Sequence, residues 1–386
     1  MRSVLEILFW LSVALIVWTQ LGYALVLGTL ARLLGARGAS LADTGARPSV
    51  SLIIAAHNEQ EVIAAKVSNA LALDYPRELI ELIVACDGCT DATPERALQA
   101  GADVVLELER GGKIRAQDAA VRSAGGEIVA FSDANALWEP DALRELLRAF
   151  DDARVGYVCG QVRFFQGPHL PGGPQATNQE GLYWRYEVAI RALESRLGSI
   201  TAGNGAIYAT RREAYMVLDP IMGHDLSFPF NMVKRGWRAA YVPEARATEK
   251  MVPSIEGEFA RKRRMMSHAW PIVLRGGMLS PRGYGLSYGL MILSHRILRY
   301  ITPGLHAVAL LANLVLVTSG ASMLYTVTLL LQWALLVAAG LGGLVRVRPL
   351  LLARYYVLTT ASLALGLWDW LRHGTTAGWD AAEGTR

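Results

Sequence analysis

Apolar residues are distributed unevenly along the chain. The stretch from Ile7 to Ala31 carries no charge, and the stretch from Ile301 to Val345 contains no Asp, Glu, Lys or Arg. Because about 20 apolar residues cross a bilayer, the first stretch predicts one transmembrane helix. The second predicts two helices, with a break at Ser319–Ser322. A weaker apolar segment from about Leu350 to Trp370 predicts a third C-terminal span. A signal peptide is the alternative for the first stretch, although its apolar core would be shorter.

The middle of the chain alternates between short apolar runs and helical patterns. The run Val50–Ala56 is continuously apolar, as in a strand buried on both faces. Helical spacing of apolar residues follows over Glu59–Leu73, and the alternation then repeats. The further predicted elements are strands at Leu79–Cys86, Val104–Leu108 and Glu127–Ser132, and helices at Pro94–Gln99, Lys113–Ala124 and from Pro140. This βαβ series predicts an α/β domain with a parallel-rich central sheet.

Two amphipathic stretches precede the second apolar stretch. Apolar residues at helical spacing between Ile255 and Trp270 lie beside the basic run 261–264, and a second stripe runs from Leu286 to Ile297. Such helices lie in the plane of the lipid headgroups. Packing against the soluble domain is the alternative.

These patterns divide the chain into five parts. We expect a transmembrane helix at 1–34, a Gly/Ala/Ser-rich linker at 35–48 and a catalytic domain at 49–250. Interfacial helices follow at 251–300, and residues 301–386 hold three spans and a short tail. The architecture is thus an α/β domain with about four transmembrane spans.

Composition and charge narrow the function. Residues of the apolar set make up 52% of the chain and charged residues 19%, which excludes a disordered chain. The net charge of +4 comes without a basic and aromatic module, so no nucleic-acid partner is expected. Three cysteines exclude a disulfide scaffold. Arginines flank the apolar stretches at the ends next to the middle domain. Because positively charged residues stay on the cytoplasmic side, the protein is predicted to lie in the cell membrane with its middle domain in the cytoplasm and both termini outside.

Polar side chains follow three of the predicted strands. They are Glu59 after the first strand, Asp87 after the second, and Asp133 with Asn135 after the fourth. Ligands of parallel sheets bind beyond the carboxyl ends of the strands. Each residue alone could be a helix cap, but together they predict a site, and clustered oxygen ligands suit a divalent cation. Lys113 and the helix start after Gly111-Gly112 could receive a diphosphate.

The ordered motifs resemble those of the membrane-bound family 2 glycosyltransferases, which include cellulose, chitin and hyaluronan synthases and have the GT-A fold. The matching segments are SLIIAAHNE (51–59), LIVACDGCTDAT (82–93), GGKIRAQDAA (111–120), FSDAN (131–135), TAGNGAIYATRR (201–212) and GHDLSFPFNMVKRGWRAAYVPEA (223–245). The resemblance implies that Glu59 and Asp87 contact the nucleoside of a nucleotide sugar. It also implies that Lys113 and Asp133 serve the diphosphate, with Mg²⁺ or Mn²⁺ held by Asp133 and Asn135.

The same resemblance places the remaining site residues. Asp225 matches the catalytic base, and the loop with Asn204 and Gly205 borders the acceptor. Arg264 matches the arginine of a QxxRW motif, but Arg261 and Met265 replace its Gln and Trp. An aromatic group around Trp184 is either a sugar-stacking platform for the acceptor or part of the core. Asn135 replaces the second aspartate of the usual DxD motif, which lowers the expected metal affinity.

Three functions are consistent with these residues. The first is an inverting glycosyltransferase that moves a sugar from a nucleotide sugar, expected to be a UDP-sugar, to a growing β-linked polysaccharide. The second transfers one sugar to a membrane lipid. The third is an inactive nucleotide-binding regulatory module, against which the intact Asp87, Asp133 and Asp225 argue. The expected partners are the donor, a polysaccharide or lipid acceptor, and membrane lipids.

Overall fold

The computed structural model describes residues 2–35, 47–165, 179–250, 255–345, 347–375 and 377. Most of the predicted linker at 35–48 lies outside these residues. The described residues form a catalytic domain around one mixed sheet and a set of long apolar helices.

The sheet confirms the predicted α/β domain. Its eight described strands have the order β3-β2-β1-β4-β7-β6-β8-β5. They are β1 Val50–Ala56, β2 Ile80–Asp87, β3 Val104–Leu108, β4 Ile128–Asp133, β5 Leu137–Trp138, β6 Val155–Phe165, β7 Ile207–Arg211 and β8 Arg238–Lys250. Strands β1 to β4 are mutually parallel, as predicted, whereas β7 joins β4 and β6 in antiparallel pairs. Every residue of β1 is buried, because helices cover both faces of the sheet.

Helices cover the two faces of this sheet and continue into the apolar part of the chain. In chain order they are α1 Arg2–Leu33, α2 Ile63–Leu71, α3 Thr93–Gln99, α4 Lys113–Ser123, α5 Ala142–Arg148, α6 Gln179–Leu197, α7 His224–Lys234, α8 Ile255–Leu274, α9 Leu286–Tyr300, α10 Thr302–Thr318, α11 Met323–Leu341 and α12 Arg348–His373. Helices α1 and α9 each contain a π-helical turn, at Trp18–Gly22 and Ile292–Ile297.

Three described helices are long and apolar enough to cross a membrane by themselves, namely α1, α11 and α12. Helix α10 meets the same test only together with α9, from which it is bent by 62°. The prediction of about four spans therefore holds if this bent pair counts as one span. The predicted break is confirmed, because α10 ends at Thr318 and α11 begins at Met323.

Helix α1 is tied to the catalytic domain along its C-terminal half. The Tyr23 hydroxyl donates to the Glu194 carboxylate at 2.7 Å, and the Tyr186 hydroxyl donates to the Gln20 carbonyl at 2.6 Å. Both hydrogen bonds join α1 to α6. The other end of α1 packs through Phe9 against Tyr325 of α11. The catalytic domain thus lies at the C-terminal end of the first apolar helix.

Helix α12 packs along α8 and ends on the catalytic side. Near its start, the Tyr355 hydroxyl accepts from Lys262 at 2.8 Å. Near its end, Asp369 pairs with Arg263 at 2.6 Å. Beyond it, Thr375 donates to the Ser267 carbonyl at 2.7 Å, and the Ala377 carbonyl lies against Gly112. The sequence predicts the C-terminus on the side of the membrane opposite the catalytic domain, and four spans would place it there, whereas these contacts bring the end of α12 to the domain. The local apolar pattern could not reveal contacts that bring both ends of α12 to α8.

Candidate active site

The strand-end residues that the sequence singled out lie along one edge of the parallel sheet. His57 follows β1, and its Nδ1 lies 2.7 Å from the Asp87 carbonyl at the end of β2. Asn58 has a positive φ of 52° and accepts a hydrogen bond from the Thr90 N–H at 2.9 Å. The Glu59 N–H donates to Thr93 Oγ1 at 2.8 Å, and the Glu59 side chain is buried. These contacts join the segment after β1 to the end of β2 and the segment that follows it.

Asp87 holds the glycine loop that precedes α4. Its carboxylate is 1% exposed and accepts from the Gly111 N–H at 2.7 Å and from the Gly112 N–H at 3.0 Å. Gly112 has a φ of 93°, which favours glycine. The amides of these two glycines are therefore engaged by Asp87, whereas the assignment of Lys113 and the start of α4 to a diphosphate stays a prediction. A buried carboxylate needs donors, and the loop supplies them to Asp87.

Lys113 and Asp133 form the open ion pair of this edge. The Lys113 ammonium, at the start of α4, contacts Asp133 Oδ1 at the end of β4, and both side chains are partly exposed. Gly205 lies beside them, since a Cβ there would stand 3.3 Å from Lys113 Nζ and 4.0 Å from Asp133 Oδ2. The absence of a side chain on Gly205 therefore lets the loop 203–205 approach the pair.

Asp225 lies in the first turn of α7. The helix cap is Gly223, and Asp225 is one residue inside the helix, so the alternative of a simple N-cap is not supported. Its carbonyl accepts from the Gly203 N–H at 2.7 Å. The same short loop, Gly203 to Gly205, thus touches Asp225 at one end and the Lys113–Asp133 pair at the other.

Tyr208 of β7 is buried and interacts electrostatically with both Asp133 and Asp225. Burial raises its pKa far above the usual range, and neighbouring tyrosines and the charges of Asp133 and Asp225 act in the same direction. Its hydroxyl lies 2.8 Å from His224 Nδ1. Burial, helped by the charge of Lys113, lowers the pKa of His224 to about 3. His224 also stacks on Phe228 at 4.0 Å, so it is a neutral residue of an aromatic core.

Asn204 and Trp184, which the sequence assigned to the acceptor, both make internal hydrogen bonds. Asn204 is buried, donates to the Gly160 carbonyl at 2.6 Å and accepts from the Ile207 N–H at 3.0 Å. The Trp184 indole donates to the Val162 carbonyl at 2.8 Å. Its ring meets Phe164 edge to face at 5.3 Å. Both side chains are thus held by hydrogen bonds to the backbone of the domain.

Arg264 is exposed on α8, in the basic run that resembles QxxRW. Its neighbours are engaged in ion pairs, because Arg261 pairs with Glu258 at 2.7 Å and Arg263 pairs with Asp369 of α12. The first pair lies within α8, and the second joins α8 to α12, so these cations of α8 have structural partners.

The residues around Asp133 fit a divalent cation that takes one carboxylate. Asp133 is partly exposed, and Asn135 follows in the turn after β4. Within the described ranges no group of three His, Cys, Asp or Glu side chains converges on a metal position. Mg²⁺ and similar ions often keep one or two protein carboxylates and complete their shell with water and substrate phosphates. Asp133 and Asn135 match that type of site.

Two buried cations were not foreseen from the sequence. Lys66 of α2 is fully buried over the Trp138 ring, with its ammonium 5.2 Å from the centroid, and burial lowers its pKa to about 7. Because Lys66 lies on the apolar face of α2, the sequence contained a signal for its burial. Arg191 of α6 is also buried. Nothing in the local pattern of α6 distinguishes it from the exposed Arg185.

Comparison with known proteins agrees with this geometry. A family model described as "Glycosyltransferase like family 2" matches residues 48–267. Among curated proteins, the chain is 36% identical over 126 residues to a beta-monoglucosyldiacylglycerol synthase of Nostoc sp., covering 31% of this chain and 26% of that protein. It is 26% identical over 242 residues to an N-acetylglucosaminyltransferase of Rhizobium sp., covering 56% and 51%. The chain therefore spans about a quarter to a half of the length of these relatives.

A solved structure shows the same fold over almost the whole chain. The mannosyltransferase PcManGT of Pyrobaculum calidifontis, in complex with GDP-Man and Mn²⁺, superposes with a TM-score of 0.72 at 23% identity. The match covers 95% of this chain and 99% of that one. This likeness establishes the GT-A fold, and the family match covers more than half of the chain. The protein belongs to the glycosyltransferase-like family 2.

Proposed function

We propose that the protein is an inverting glycosyltransferase of the membrane that moves a sugar from a nucleotide sugar, a UDP-sugar, to a growing β-linked polysaccharide. One observation carries the proposal: the loop Gly203–Gly205 contacts both Asp225 and the Lys113–Asp133 pair. A base for the acceptor and charged groups for the diphosphate would therefore lie at the two ends of one loop. A polysaccharide product is supported by the relative named as a poly-beta-1,6-N-acetyl-D-glucosamine synthase of Staphylococcus aureus.

The reaction is a single displacement. An acceptor hydroxyl oxygen forms a bond to the anomeric carbon of the donor, and the bond from that carbon to the diphosphate oxygen breaks. Asp225 accepts the proton of the hydroxyl as the general base. Its place in the first turn of α7 puts the carboxylate near the positive end of the helix dipole.

The leaving group is a nucleoside diphosphate. Lys113 and, from α8, Arg264 are the cations proposed to bind its phosphate oxygens. Asp133 and Asn135 would hold Mg²⁺ or Mn²⁺, an ion that neutralises diphosphate charge when bound. Glu59 and Asp87 are proposed to serve the nucleoside, Asp87 by fixing the glycine loop. Gly205 gives the acceptor access to the pair, while Asn204 and Trp184 shape the acceptor side.

A second candidate is the transfer of one sugar to a membrane lipid. The relative with the higher identity, at 36%, is named for a glycolipid product. The ion pairs of Arg261 and Arg263 with Glu258 and Asp369 also give the basic run of α8 a structural use, in place of the QxxRW arrangement of polymerising enzymes.

Product size separates the two candidates. The full-length protein in lipid nanodiscs is incubated with a panel of UDP- and GDP-sugars, and nucleotide release and product length are measured together. A ladder or polymer supports the polysaccharide synthase, and one glycolipid species supports single transfer. Absence of nucleotide release with every donor and acceptor offered contradicts both.

The membrane orientation is part of the proposal. The arginine-rich flanks support a cytoplasmic catalytic domain. The contacts of Thr375 and Ala377 support the same side for the end of α12, which requires α12 to lie along α8 instead of crossing the membrane as a fourth span. Single cysteines introduced at exposed positions near Asp133 and after α12 should both resist a membrane-impermeant thiol reagent in intact cells. Labelling of either position from outside would overturn this orientation.

A further inference from the structure

Arg191 of α6 is a buried cation that lacks a carboxylate partner among the described residues. Its side chain is 5% exposed. Nη2 donates to the Gly203 carbonyl at 2.9 Å, while Nε and Nη1 have no hydrogen-bond partner. The guanidinium lies 5.6 Å from the ring centroids of Trp184 and Tyr241. A buried charge is costly unless it is paired, so the retention of an arginine here calls for a physical reason.

The single hydrogen bond of Arg191 goes to the loop that joins the two halves of the site. The Gly203 N–H donates to the Asp225 carbonyl at 2.7 Å. Gly203 is therefore bonded to Arg191 on one side and to the start of α7 on the other. Gly203 is also pressed against the Tyr157 hydroxyl, where a Cβ would collide. Two residues later, Gly205 lies beside Lys113 and Asp133. A displacement of Gly203 would therefore move the base relative to the donor groups.

The charge of Arg191 also acts on the side of the site that holds Asp225. Burial raises the pKa of Tyr157 well above its usual range; the charge of Asp225 adds to this effect and that of Arg191 opposes it. Asp225 further interacts electrostatically with Tyr208 and Tyr300. The charges of Arg296 and Arg299 of α9 act on Tyr300 as well, and Arg296 donates to Thr201 Oγ1 at 2.9 Å, just before the loop. Arg191 lies on the Gly203 side of the loop, and Lys113 lies beside Gly205.

We infer that Arg191 is a positioning residue for the transfer reaction. Its hydrogen bond fixes Gly203, and with it the separation of Asp225 from the Lys113–Asp133 pair. The inference rests on the proposed role of Asp225 as base. It assigns a function to a residue for which neither the motifs nor the family resemblance predicted any role.

Three substitutions separate the hydrogen bond from the charge. Arg191→Met removes both, Arg191→Gln keeps a donor without the charge, and Arg191→Lys keeps the charge. Arg185→Met is the matched control, because Arg185 is exposed on the same helix. The full-length proteins in nanodiscs are assayed for nucleotide release across pH, with kcat and the donor KM determined separately.

For Arg191→Met we expect kcat to fall by about 10–100-fold, since small misplacements of reacting groups have effects of this size. The donor KM stays within about twofold of the wild-type value. Arg191→Gln and Arg191→Lys, which keep a donor for the Gly203 carbonyl, should recover part of the lost kcat. Arg185→Met should leave both constants within about twofold of the wild type.

Two results would overturn the inference. The first is a Met variant with kcat within twofold of the wild type. The second is a Met variant whose donor KM rises in step with the fall in kcat. If Arg191→Met does not yield a monodisperse protein, the Gln and Lys variants decide, and a kcat in both that is as low as the value expected for Met overturns the inference. Failure of the proposed function is distinguishable, because it is seen as a wild-type protein that releases no nucleotide from any donor, and the inference then falls with it.

Discussion

The proposed donor half and the proposed acceptor half of the site are built in different ways. In the donor half, Asp87 and Asp133 end parallel strands and Glu59 comes shortly after one, so chain order and the sheet bring them to one edge. In the acceptor half, Asp225, Gly203 and Arg191 come from a helix, a loop and another helix, and hydrogen bonds between them set their places.

This difference has a physical consequence. Strand ends are fixed by a cooperative sheet, so a substitution at Asp133 should remove a charged group without moving β4. The acceptor half depends on single hydrogen bonds to the backbone, each worth about 1 kcal/mol. Substitutions there should alter geometry and stability together. The predictions below test this contrast, from the largest expected effect to the smallest.

Removal of divalent metal should abolish activity, which is the strongest test of the donor half. The partly exposed Asp133 suits an ion shared with the donor diphosphate. An excess of chelator is expected to stop nucleotide release, and added Mg²⁺ or Mn²⁺ to restore it. Chelator saturated with Ca²⁺ before addition serves as the control for effects of the chelator itself. Full activity in excess chelator would show that the donor half works without an ion.

Asp225→Asn should have the next largest effect, in the acceptor half. Asparagine keeps the size of the side chain but cannot accept the proton, so transfer is expected to fall by roughly 10²–10⁴-fold. Donor binding, measured by calorimetry with UDP and Mn²⁺, should be unchanged. Asp219→Asn is a matched control, because Asp219 is exposed shortly before α7. Near-normal transfer by Asp225→Asn would refute the assignment of the base.

Acid should destabilise the domain through His224, where the two halves meet. Burial lowers its pKa in the folded protein to about 3, from 6.5. The unfolded chain therefore binds a proton below pH 6.5 that the folded protein refuses, and stability falls as pH falls through this window. At pH 5 the loss is about 2 kcal/mol. It is measured as the pH dependence of thermal unfolding, which should be shallower in His224→Asn but not in His268→Asn. Equal slopes in all three proteins would contradict this.

Asn135→Asp should strengthen metal binding. A second carboxylate two residues after Asp133 raises the charge of the ligand set, and we expect Mn²⁺ to activate the variant at a concentration about tenfold lower. Asp141→Asn, further along the chain at the start of α5, tests for a general effect of surface charge. An unchanged requirement for Mn²⁺ in Asn135→Asp would mean that position 135 does not face the ion.

The same contrast explains what the sequence could predict. Alternating apolar and helical patterns placed β1 to β4 within one or two residues, because buried parallel strands have a strong local signature. The motif residues Asp133 and Asp225 were placed correctly at a strand end and in a first helical turn. The sheet beyond β4, in which antiparallel β7 separates two parallel sets, was not foreseen.

What escaped prediction depends on contacts between distant parts of the chain. The Gly111 and Gly112 amides donate to Asp87, more than 20 residues earlier, and no local pattern encodes that choice. The end of α12 lies on the catalytic side because Asp369 meets Arg263. Arg191 gains its meaning only from Gly203, twelve residues later, and from the rings around it. The spacing of apolar residues indicates which face of a helix or strand is buried, but it does not indicate which other element covers that face.

Trp184→Phe should have the smallest effect, and it decides between the two interpretations of this residue. The indole N–H donates to the Val162 carbonyl, and the ring packs against Phe164. If Trp184 braces the acceptor half, phenylalanine loses one hydrogen bond and leaves a carbonyl unpaired. Unfolding should then become easier by about 1–2 kcal/mol, seen as a lower Tm, while the acceptor KM of the folded enzyme stays the same. If Trp184 instead stacks on the acceptor sugar, the smaller ring should raise the acceptor KM and leave the Tm nearly unchanged. Trp333→Phe, at an exposed position of α11, controls for the loss of an indole as such.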